Sequence, residues 1–91
     1  MFDADIADMQ AQIVALRLAV EGAWLSLLAP AVDPAGDAQR LGVQNIAAIG
    51  QIDAGTPEAR ALRDAVVHHT ERLWGSIGWQ LADRARQAAG E

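Results

Sequence analysis

Between Ile13 and Ala29 the chain reads IVALRLAVEGAWLSLLA, a stretch that leaves a helix without an ordinary wet side. At about 100° per residue, Ile13, Leu16, Val20, Trp24 and Leu27 fall to one side, and Val14, Leu18, Leu25 and Leu28 to the other. Arg17 and Glu21, opposite charges one turn apart, lie between the two stripes. The remaining face carries Ala15, Ala19, Gly22, Ser26 and Ala29, small residues that admit a second helix at close range. A helix of this composition belongs at the centre of a bundle or of an oligomer. The sequence therefore predicts an all-α chain, a three-helix bundle with helices over about 3–29, 34–53 and 57–89. Its 91 residues form one domain. A core that small leaves a thin margin of stability, so the bundle is expected to pair into a homodimer through the first helix and part of the third.

Punctuation along the chain supports these limits. Phe2, Ile6, Met9, Ile13, Leu16, Val20, Ala23 and Leu27 alternate in steps of four and three, as one face of a helix does. Asp3, Asp5 and Asp8 suit the positive end of its dipole. Asp5, Asp8 and Gln12 give the first half a polar side that the second half lacks, so burial should rise toward Trp24. Asp33-Pro34 reads as an N-cap followed by proline at the first helical position, and Thr56-Pro57-Glu58 repeats the device. Leu41, Gly42, Ile46, Ile49 and Ile52 form the apolar arc of the second helix, with Asn45 inside it. Gly36, Gly42 and Gly50 weaken that helix, and Gly55 is placed to end it in the left-handed conformation. The third helix, lined by Leu62, Val66, Val67, Leu73, Trp74, Ile77 and Leu81, outruns the other two. Its last turns should overhang unless it kinks at Gly75 or Gly78.

Charge and composition narrow the function. A net charge of −5, with scattered arginines each near a carboxylate, argues against a nucleic-acid partner. Every basic residue is arginine, a bias of GC-rich bacterial genomes. Without cysteine there is no disulfide, thiolate metal site or cysteine nucleophile, which fits a reducing compartment. No basic segment precedes an apolar run at the N-terminus, and charges interrupt residues 13–32, so a cytoplasmic core helix is expected rather than a signal peptide or a membrane span.

No catalytic constellation, metal set or cofactor motif is legible. Asp64, His68 and Glu71 share one side of the third helix at i, i+4 and i+7, a spacing that can present a carboxylate and an imidazole to a metal. They read instead as a solvated face, Asp64 and Glu71 pairing with Arg60 and Arg72. His69 reads as a core-edge residue. Arg17 with Glu21 reads as a buried ion pair that confers specificity. Trp79 stands out, roughly opposite its helix's apolar arc among His68, Arg72, Gly75, Asp83 and Arg86. Its ring should lean over the gap left by Gly75. An exposed indole among arginines has the composition of an interaction hot spot.

The residues singled out for contact are thus Trp79, Arg72, Gly75 and Arg86 on the third helix, with Leu18, Trp24 and Leu25 on the first. They predict a small non-enzymatic adaptor or regulator that binds itself and another protein. One alternative is an enzyme or anion-binding protein using inter-helix arginines. The all-helical chorismate mutases offer an architectural analogy in length and three-helix dimeric build, with Arg17 and Gln80 as the candidate contacts, although this chain has no lysine. The other is a phage- or stress-type inhibitor that docks on a larger enzyme.

Overall fold

The computed structural model describes the backbone of residues 2–90 and the side chains of residues 4–90. It contains three helices: α1 over Phe2–Leu28, α2 over Pro34–Gly50 and α3 over Pro57–Ala89. No strand occurs among the described residues. The side chains of Phe2 and Asp3, expected to begin the apolar stripe and the acidic first turn, lie outside the described residues.

Both internal helix starts follow from local chemistry. The Asp33 carboxylate accepts from the Gly36 amide at 3.2 Å, and the Thr56 hydroxyl accepts from the Ala59 amide at 3.1 Å. Each cap fills one of the orphan donors of a first turn, and Pro34 and Pro57 follow at positions that need no donor. α2 stops at Gly50 rather than near Asp53. The carbonyls just beyond its end are taken from outside: Arg63 donates to Ile52 O at 3.1 Å and Arg60 to Ala54 O at 3.4 Å. Gly55 does not use the left-handed conformation expected of it, since no described glycine has positive φ. α3 is continuous through Gly75 and Gly78.

α2 and α3 form the body of the molecule. They run antiparallel, with Ala38 beside Gly78 at one end and Ile49 beside Leu62 at the other. Ala38 and Ile77, at 1% and 0% exposure, lie at the centre of the core, with Trp74, Leu81, Leu25 and Leu28 around them. Gly42 leaves room for Trp74 against α2: a Cβ there would lie 3.0 Å from both Cβ and Cγ of Trp74. The residue read as a helix weakness is therefore the seat of the largest buried side chain. Asn45, anomalous within the apolar arc, accepts the Trp74 indole N–H at 3.0 Å.

α1 departs from expectation most. It is not the central helix. It runs in the direction of α3 but meets the body only near its C-terminal end, where Glu21, Leu25 and Leu28 are buried and Trp24 is half-buried. Trp24 packs on Trp74 with ring centroids 5.1 Å apart. Burial does rise toward Trp24, as the sequence indicated. Upstream of Glu21 every described side chain on α1 is exposed, apolar stripes included. The helix diverges from α3 toward its N-terminus, so the face that was to be buried stands open. The result is an extended shape of 50 × 35 × 17 Å, whose long axis matches the 33-residue α3. The radius of gyration of 16.2 Å compares with about 12 Å for a compact chain of this length.

Candidate functional site

Two surfaces follow from this geometry. The larger is the cleft between the diverging α1 and α3, an open groove of about 550 Å³. Ile13, Leu16 and Val20 form one wall; Leu62, Val66 and Leu73 form the other. Both walls arise from the heptad-like spacing that puts these residues on one side of each helix. Their exposure is high for aliphatic side chains: Ile13 62%, Leu16 67%, Leu62 67%. Arg17, His69 and Thr70 supply the polar atoms of the cleft. The Thr70 hydroxyl is already committed to Val66 O at 2.7 Å.

Arg17 and Glu21 do pair, with Arg17 Nε 3.7 Å from Glu21 Oε1. The pair is half-open rather than buried: the Arg17 side chain is 44% exposed and the Glu21 side chain 12%. Glu21 Oε1 has no hydrogen-bond partner although it is buried. The pair therefore sits where the cleft closes onto the body, with its carboxylate inward and its guanidinium toward the opening.

The second surface is a shallow groove between α2 and α3 beside Trp79. The indole is 63% exposed and borders the groove with Gly75, Gly78, Val43 and Ile46. Added Cβ atoms at Gly75 and Gly78 would meet nothing within 4 Å, so this rim is open as well as apolar. Trp79 is thus an exposed indole beside a glycine-rimmed groove that faces α2, and its ring does not cover Gly75 as expected, because nothing lies within 4 Å of a Cβ placed there. Of its expected companions, Arg72 is exposed, and Arg86 pairs with Asp83 at 3.2 Å on its own helix.

The structure separates the other singled-out residues. Leu18 stands open at 61% exposure, whereas Leu25 is spent in the core of its own chain. Gln80 donates to Ser76 on its own helix and does not line the cleft that holds Arg17, so the two do not form one anion site. Asp64 pairs with Arg63 at 3.6 Å, not with Arg60. His68 and His69 stack edge to face at 5.5 Å between centroids, and His69 lies in the cleft rather than at a core edge. Among the described residues no group of three His, Cys, Asp or Glu is placed to hold a metal ion. By length and hydropathy alone, α1 from Ala4 to Leu28 is the one described helix apolar enough to cross a membrane.

The cleft itself could not be read from the sequence. Its signal was the pair of apolar stripes on α1, which announced more apolar surface than one neighbour could cover. The chain matches no protein-family model, no curated protein and no solved structure.

Proposed function

We propose that this chain is a non-enzymatic helical protein that acts by association, with a copy of itself through α1 and α3 and with another protein through the Trp79 face. The observation that carries the reading is the exposure of Ile13, Leu16 and Leu18 at 62%, 67% and 61% on one helix. An open apolar surface of this extent marks an interaction site. Trp79 adds a large, rigid anchor at the edge of a groove, the composition enriched in energetic centres of interfaces. We place the protein in the cytoplasm as an adaptor or regulator.

An anion-binding or enzymatic reading has one supporting observation, that Arg17 lines the cleft. It is the one arginine there, and Glu21 already draws on its charge. Native mass spectrometry of the protein taken gently from its host tests the proposal. Two copies together with a second protein species is the expected result. A bare monomer carrying a small anion would replace it with the binding-protein alternative.

A further inference from the structure

We infer that the cleft between α1 and α3 is filled by α1 of a second copy, the two molecules interlocking mouth to mouth with their α1 helices antiparallel. This rests on the self-association reading above and specifies its surface. The chain exposes 6731 Å², whereas a compact folded monomer of its mass exposes about 5,100 Å². The excess, about 1,600 Å² per chain, is roughly twice what one partner contributes to a standard stable interface and falls within the range of obligate homodimers.

A helix seated between two walls touches both, so it needs apolar residues on two of its sides. Within this chain α1 has that property. Ile13, Leu16 and Val20 line its own cleft, while Val14 and Leu18, at 55% and 61% exposure, belong to the other stripe. A two-fold arrangement covers both stripes at once, because each α1 then meets its own α3, the partner's α1 and the partner's α3. The central, dry position that its sequence requires is reached in the pair.

The cleft closes where Leu28 and Leu81 are buried and opens toward the N-terminal ends of α1 and α3. A parallel partner would drive its α2–α3 body into the closed end. An antiparallel one enters by the N-terminal tip of α1 and leaves its body outside the mouth. It also keeps Asp5 and Asp8 of the two copies apart. A lipid surface suits α1 less well: the polar side of its first half carries Asp5, Asp8 and Gln12, whereas helices that lie on anionic bilayers carry basic residues there.

The absence of cysteine makes the test clean. Chains bearing Leu16→Cys are mixed with chains bearing Val66→Cys, equilibrated and oxidised, with Ala47→Cys, exposed on α2 and outside both grooves, replacing Val66→Cys as the control. A disulfide requires Cα atoms within about 7 Å. The expected result is a mixed Leu16→Cys/Val66→Cys covalent dimer and loss of that product with Ala47→Cys. A dimeric mass by light scattering with no α1–α3 link would overturn the cleft arrangement and leave self-association standing. A monomer at every concentration overturns both. A monomer that binds phosphatidylglycerol vesicles overturns both and assigns α1 to a membrane surface.

Discussion

The indole Nε1 of Trp74 on α3 donates to Oδ1 of Asn45 on α2 at 3.0 Å. The same indole rests on Gly42 and is packed by Trp24 from α1, so one side chain touches all three helices. The hydrogen bond fixes the rotation of α2 against α3 and explains a polar residue in an apolar arc. Asn45→Leu removes the acceptor and should lower stability by about 1 kcal/mol, somewhat more if the N–H is left dry. Urea denaturation followed by circular dichroism measures it, and an unchanged midpoint would count against the bond.

Gly42→Ala sets two effects against each other. Alanine favours the helix by about 1 kcal/mol, but its Cβ would meet Trp74 Cβ and Cγ at 3.0 Å, and overpacking of a fitted site costs about 1–3 kcal/mol. Those Trp74 atoms lie next to the backbone and cannot swing away, so the clash should win. Gly50→Ala, with nothing within 4 Å of the new Cβ, should instead stabilise by a few tenths of a kcal/mol. Thermal melts of the two variants should move in opposite directions.

Thr56 is the cap of the longest helix, accepting from the Ala59 amide. Thr56→Ala should cost about 1 kcal/mol, and Thr56→Ser should restore most of it. The comparison separates the cap from any packing role of the methyl group.

Arg17 and Glu21 distinguish a structural pair from a ligand site. Arg17→Ala leaves the inward Glu21 carboxylate without its charge partner and should destabilise by about 1–2 kcal/mol, less than a fully buried pair because Arg17 is partly solvated. The double variant Arg17→Ala/Glu21→Leu should recover much of that loss. If Arg17→Ala leaves stability unchanged, the guanidinium is free for an anion and the structural account of the pair fails.

Trp79 is open to solvent, whereas Trp24 and Trp74 are packed together, and these are the chain's three tryptophans. Acrylamide should quench mainly one component of the fluorescence, and Trp79→Phe should remove it. Trp79→Ala should change stability by no more than about 0.5 kcal/mol while abolishing capture of a second protein. A large loss of stability would instead give Trp79 a packing role.

Much of this architecture was legible where chemistry is local. Asp33-Pro34 and Thr56-Pro57 mark helix starts because cap and proline act within one turn, and α3 ends at Ala89 as its pattern predicted. The end of α2 was not legible, because Arg60 and Arg63 reach back from another helix to claim the carbonyls of Ile52 and Ala54. Gly42 and Asn45 were visible as anomalies, yet only the position of Trp74 explains them. α1 differs most from what its sequence pattern predicts. Its two stripes state that apolar surface must be covered, but periodicity does not say whether the cover comes from the same chain. The exposure of Trp79 was legible from its place away from the apolar arc, but the groove with α2 that it borders was not. The cleft required three-dimensional knowledge of where α1 and α3 diverge.

Sedimentation equilibrium of the purified chain over a wide concentration range shows whether the open face of α1 is closed by self-association. The expected result is a single species of twice the 9.6 kDa chain mass, persisting on dilution. A species of 9.6 kDa at every concentration would contradict it.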